Sequence, residues 1–292
     1  MTAFLTVLQI VAPVAALAMV GFLWVRSGRD WPVDFVSRLA MGIAVPALVF
    51  TALTRAEVAP QALAAVALAA AAGYLILLAI FWGMTGAMRL DRRGLAAPLA
   101  FGNTGNLGLP LAFFAFGETG LTLAVVIFAV GITLQFSIGL WMMAGGGPGR
   151  VAREPMLWAS LAGALFLWQG WRLPDWLDTT LGLAGQMAIP LMLLTLGVAL
   201  AGLRPARLPL AVGLSVIRLV VCLAVALGLA WAFAPDRLSF AVIVLQLTTP
   251  VPVTAYLIVA RLGGDGEAVA GLVLASTLLA VVSLPLALAL MI

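Results

Sequence analysis

Gly102-Asn103-Thr104-Gly105-Asn106-Leu107-Gly108-Leu109-Pro110 and Thr248-Thr249-Pro250-Val251-Pro252-Val253-Thr254 interrupt long hydrophobic segments at corresponding places in the two halves of the chain. Glycine and proline free backbone amides and carbonyls that lipid cannot satisfy. Such a break is tolerated in a membrane only where it is enclosed by protein or lines a watery cavity. A matched pair of broken spans is the pattern of a secondary transporter built from inverted repeats, with its site between the breaks.

The rest of the chain agrees with a membrane setting. Of its 292 residues 64% are hydrophobic and 9% charged, and the mean hydropathy is +1.20. A soluble domain carries roughly 25% charged residues, so a water-soluble protein is excluded. About 20 apolar residues cross a bilayer, and ten spans are predicted at 4–25, 33–54, 61–83, 95–116, 120–143, 156–171, 178–202, 208–233, 238–260 and 268–291. The first segment is too long for a signal-peptide core and ends in Arg26 and Arg29 without a small-residue cleavage site, so it is read as a span.

Every basic residue is Arg, and there is no His. Arg26, Arg29, Arg89, Arg92, Arg93, Arg150, Arg153, Arg204, Arg207 and Arg261 fall on one side of the predicted topology, and Arg55, Arg172 and Arg237 on the other. The arginine-rich side is expected in the cytoplasm and both termini outside it. Scattered singly or in pairs, these arginines set topology, and no nucleic-acid partner is expected. Trp24, Trp31, Trp82, Trp141, Trp158, Trp171 and Trp231 fall mostly near span ends, as an interfacial belt does. Cys222 is the single cysteine and reads as a packing residue.

The halves resemble each other. Ile43-Ala44-Val45-Pro46 matches Met187-Ala188-Ile189-Pro190, and a small acidic turn follows each broken span. Five spans per repeat force the second copy to insert upside down. The expected division is 1–144, a cytoplasmic linker 145–155, and 156–292. The expected fold is all-α, with ten transmembrane helices as two inverted five-helix repeats.

On these residues the chain resembles the auxin efflux carrier family. Asn103 to Pro110 follows that family's fourth-span pattern Asn-x-x-x-x-Gly-x-Pro. Val45 to Phe50, Ile189-Pro190-Leu191, Leu196-Gly197, Ile217-Arg218-Leu219 and the proline-rich ninth span ending at Arg261 extend the likeness along nearly the whole chain. The family includes plant auxin exporters and bacterial carriers for malonate, malate and related acids. The resemblance implies a bacterial inner-membrane carrier with a scaffold and a transport domain, spans four and nine crossing at their breaks, and elevator-type alternating access. It also implies the fold of bile-acid carriers and sodium/proton antiporters, and a homodimer through the scaffold. Two features depart from the family: Val251 separates the ninth-span prolines, with Thr254 offering a hydroxyl where an Asn is common, and no proline stands near Cys222.

The candidate substrate site is Asn103, Thr104, Gly105, Asn106, Gly108, Pro110, Thr248, Thr249, Pro250, Pro252, Thr254, Tyr256 and Arg218. Half-helix amides carry partial positive charge toward a gap, while the amide and hydroxyl side chains donate and accept. Together they suit a small organic anion. Asn103 fits ligand binding better than packing; Gly105 and Gly108 fit either equally. Arg218 is the one charge well inside a span, at an insertion cost of about 2.5–3.5 kcal/mol. It either serves an anionic substrate or as an internal counter-charge, or snorkels to the interface.

All carboxylates lie in loops or near span ends, so no buried proton relay is expected. No cofactor is expected. Sodium stays open as a coupling ion, with Gln135, Gln246 and Asn106 as candidate ligands, and uniport fits equally. Intramembrane hydrolase chemistry lacks its residues: no His, one Cys and no aspartate pair in a span. The alternatives to a carrier are a channel or a membrane sensor that binds an organic anion without coupled transport.

Overall fold

The computed structural model describes residues 2–144, 154–203 and 206–291. Most of the predicted linker, with Arg150 and Arg153, lies outside the described residues, as does Arg204. Long apolar runs with few breakers form helices because only a helix satisfies each backbone group locally. These are α1 (Thr2–Arg26), α2 (Val33–Thr54), α3 (Pro60–Ala87), α4 (Arg92–Ala100), α5 (Leu109–Leu134), α6 (Pro155–Gln169), α7 (Asp175–Gln186), α8 (Ala188–Gly202), α9 (Leu208–Phe233), α10 (Arg237–Leu247), α11 (Val253–Arg261) and α12 (Gly266–Met291). A π-helical turn at Gln135–Gly139 carries α5 on to Ala144.

Among the described residues seven helical stretches are long and apolar enough to cross a membrane alone. One, Arg92–Met143, is 52 residues, enough for the two spans expected there; it is interrupted at 101–103 and again at Gly117, within the expected turn. The turn shrinks to Gly117 (φ 64°, ψ −157°), a conformation open essentially to glycine alone. Helix α6, at 15 residues, is shorter than a span, and α10 and α11 are the two pieces of the expected ninth.

Prolines set most of the remaining irregularities. A ring inside an α-helix clashes with the carbonyl four residues back. Pro46 follows a π-helical turn at Ala40–Ala44, and Pro110 follows another at Thr104–Gly108. Pro190 sits in the first turn of α8, where its missing N–H costs nothing. The matched motifs around Pro46 and Pro190 thus both mark helix discontinuities.

The helices pack as two bundles. In one, α1 lies along α8, and α2 along α6 and α7. Gly21 and Gly197 let the α1 and α8 backbones touch: a Cβ at either would collide with a carbonyl oxygen of the facing helix, Leu194 O or Ala18 O. In the other, α3 packs on α4, α5 and α9, α9 also on α10 and α12, α10 on α5, and α11 on α12. Between bundles, α8 meets the Thr104–Gly108 turn, and α1 and α2 meet α5. Outward-facing apolar side chains such as Leu290 (89% exposed) and Trp231 (86%) suit contact with lipid rather than water.

Candidate functional site

The first break lies where α4 ends at Ala100. Phe101 is extended (φ −88°, ψ 139°), and the chain re-enters helix through the Thr104–Gly108 turn. That turn is wide because the Leu107 and Gly108 N–H groups both donate to Asn103 O (3.2 and 3.1 Å). The second break lies between Leu247, the end of α10, and Pro252, which caps α11 in an extended conformation.

The two breaks touch. The Asn103 N–H donates to Pro250 O at 2.7 Å. Glycine makes this approach feasible, since a Cβ on Gly102 would strike the Thr249 hydroxyl and one on Gly108 the Gln246 side chain. Gly105 lies against Phe128 of α5 and Met192 of α8, so the turn is also held by the opposite bundle.

Several polar groups here are already partnered. The Thr248 hydroxyl donates to Val244 O and the Thr249 hydroxyl to Gln246 O, both at 2.7 Å. The Val251 N–H donates to Ser276 Oγ (3.0 Å), and that hydroxyl donates to Val273 O (3.2 Å). Two amides are not partnered. Asn103 Nδ2, and both Nε2 and Oε1 of Gln246, are buried without a hydrogen-bond partner. An orphaned buried amide costs about 1–3 kcal/mol, and both of these lie on the crossing segments.

Arg218 is 2% exposed, on α9. Its Nε donates to Leu99 O at 2.9 Å and its Nη2 to Phe101 O at 3.3 Å. It therefore caps the carbonyl end of α4, where the helix dipole places partial negative charge. It does not snorkel. Phe101 stacks at 5.3 Å against Tyr74 of α3, closing the same pocket of side chains.

The remaining predicted residues spread outward from this point. Thr104 and Pro110 are buried in the wall of the first break, and Asn106 is half-buried. Thr254 is exposed, and Tyr256 is half-buried beside Gly266 at the start of α12. Among the described residues no hydrogen bond joins Thr254 or Tyr256 to the first break.

A cavity of about 640 Å³ opens between the bundles. Leu17, Leu48, Gln186 and Pro190 line one wall, and Phe113, Phe114 and Glu118 the other. Arg55 and Glu57 stand in it too; Arg55 pairs with Asp178 at 2.8 Å, an exposed bridge of at most about 1 kcal/mol. Phe113, in the cavity wall, is about one helical turn past Pro110. Ser276 and Tyr74 are supporting residues absent from the predicted set. A serine amid the apolar run of α12 was a readable signal for the first; nothing local marks the second.

The sequence profile described as Membrane transport protein matches residues 6–154 and 148–288. A protein of Methanothermobacter thermautotrophicus described as an uncharacterized transporter is 29% identical over 276 residues, covering 86% of each chain.

Proposed function

The chain belongs to the membrane transport protein family, the auxin efflux carriers, and from that premise we propose that this multi-pass membrane transporter is a secondary carrier of small organic anions, mono- or dicarboxylates. The observation that carries the substrate reading is the crossing itself: Asn103 bonded to Pro250, with the Asn103 and Gln246 amides buried and unpaired beside it. Two half-helices begin there, after Asn103 and after Pro252, and their amide ends favour negative charge.

The two bundles support an elevator-type cycle. The bundle of α1, α2 and α6 to α8 is the scaffold, and the bundle holding both breaks carries the substrate past it. In this reading 1–144 and 156–292 are inverted repeats with ten crossings, and the membrane is a bacterial inner membrane with both termini on its periplasmic side. The scaffold is the surface for a homodimer.

A thermal-shift screen of purified protein against small carboxylates, with sodium and pH varied, tests the proposal. Ligand at about 100 times its Kd stabilises by about 2.7 kcal/mol. A carboxylate that stabilises the protein but not Asn103→Ala, and that exchanges across proteoliposomes, is the expected result. If no mono- or dicarboxylate shifts unfolding, the substrate class is wrong. If one binds but none crosses, the chain is a sensor.

A further inference from the structure

Arg218 is eleven residues into the 26-residue helix α9. At 1.5 Å per residue that is about 4 Å from the helix midpoint. Among the described residues it is the one buried charged side chain. The described ion pairs are Arg55–Asp178 and Arg207–Asp265, and neither involves it. Its bonds run to carbonyls of α4, and α9 packs on α3, α10 and α12. Every one of these elements belongs to the bundle that contains both breaks. The charge is therefore fastened to that bundle and not to the interface between bundles.

We propose that Arg218 is a counter-charge that travels with the substrate-bearing bundle and determines which half of the transport cycle responds to membrane potential. This rests on the two-bundle carrier reading above. A bundle that shifts across the field takes the guanidinium with it. Without ligand it moves one positive charge. With a monocarboxylate bound it moves none, and with a dicarboxylate it moves one negative charge. The charge moved over a whole cycle equals that of the ligand whatever residue stands at 218. Arg218 alters only how that charge divides between the loaded step and the empty return. Because the guanidinium is held by carbonyls rather than by a carboxylate, and no Asp or Glu is buried among the described residues, no charge in the bundle's interior cancels it; the bundle's carboxylates, such as Glu118, Asp236 and Asp265, are exposed.

The return step can be tested without knowing the ligand. The full-length chain carrying Cys222→Ala and Phe114→Cys is reconstituted in liposomes. The new thiol lines the cavity between bundles, and its reaction with a membrane-impermeant maleimide reports how often that cavity is open. Potentials of about 100 mV of either sign are imposed with valinomycin and potassium gradients, with no carboxylate present. One charge crossing that whole field changes a two-state ratio about 50-fold, and one crossing a third of it about fourfold.

Labelling is expected to change severalfold between the two signs of potential with Arg218 or Arg218→Lys, and to be flat in Arg218→Gln. Ser215→Asp supplies a second variant, because Ser215 is buried one turn before Arg218 with its hydroxyl unpartnered. An aspartate there cancels the charge while keeping the arginine, and it too should flatten the response. A flat response with Arg218 in place, or an equal response in Arg218→Gln or Ser215→Asp, overturns the proposal. Failure of carboxylate exchange would count against the carrier reading instead, and is measured separately.

Discussion

At the first break three glycines leave the backbone donors in place, whereas at the second two prolines remove them. Gly102, Gly105 and Gly108 bring facing groups close but satisfy nothing themselves. The carbonyl end of α4 is capped from outside by Arg218, and the Asn103 amide is left without a partner. In Pro250-Val251-Pro252 only Val251 has an N–H, and Ser276 accepts it. The neighbouring threonine hydroxyls return to their own helix. The glycine break thus depends on Arg218 of α9 and leaves the Asn103 side-chain NH₂ unpaired, while the proline break depends on Ser276 of α12 and leaves Gln246 unpaired.

If this contrast is right, substitutions at the two breaks should separate stability from binding. Gly102→Val should have the largest effect, about 3 kcal/mol or more, because its side chain would push against Thr249 and part the crossing. Folded yield and thermal unfolding measure it; a normally stable variant would mean that the breaks do not touch. Ser276→Ala should cost about 1–3 kcal/mol by leaving the Val251 N–H buried and unpaired. Carboxylate affinity should be preserved in that variant, so a large change in Kd would show that the second break binds ligand through this serine.

Asn103→Ala should alter thermal stability by less than about 0.5 kcal/mol, or raise it slightly, since its side-chain NH₂ has no partner to lose. It should nevertheless abolish ligand-induced stabilisation. A variant that is markedly unstable would instead make Asn103 a structural residue. Arg55→Ala should cost at most about 1 kcal/mol and less at high salt. A larger loss in a urea or thermal series would make that bridge part of the scaffold's core.

Much of this was legible in the chain. The expected segments lie over helix, and both breaks fall at the quoted residues, because glycine and proline act on the hydrogen bonds of their own turn. The motif Asn-x-x-x-x-Gly-x-Pro correctly pointed to the family. The expected turn between spans four and five falls where the structure bends, at Gly117, although the backbone conformation that makes one glycine sufficient is not displayed by sequence pattern. Thr254 and Tyr256 were grouped with the site by nearness along the chain. In the folded chain Thr254 is exposed and the Tyr256 ring lies beside Gly266 at the start of α12.

Composition and breakers by themselves determined a helical membrane protein with two interrupted segments, because a lipid-facing backbone must satisfy its hydrogen bonds within a few residues. Tertiary structure alone decided what meets at those interruptions. Arg218 reaches carbonyls 119 and 117 residues earlier in the chain, and Asn103 meets Pro250 from the opposite half. A buried guanidinium has to find acceptors wherever packing brings them, so its partners depend on how α9, α4 and α10 cross, which no local pattern encodes.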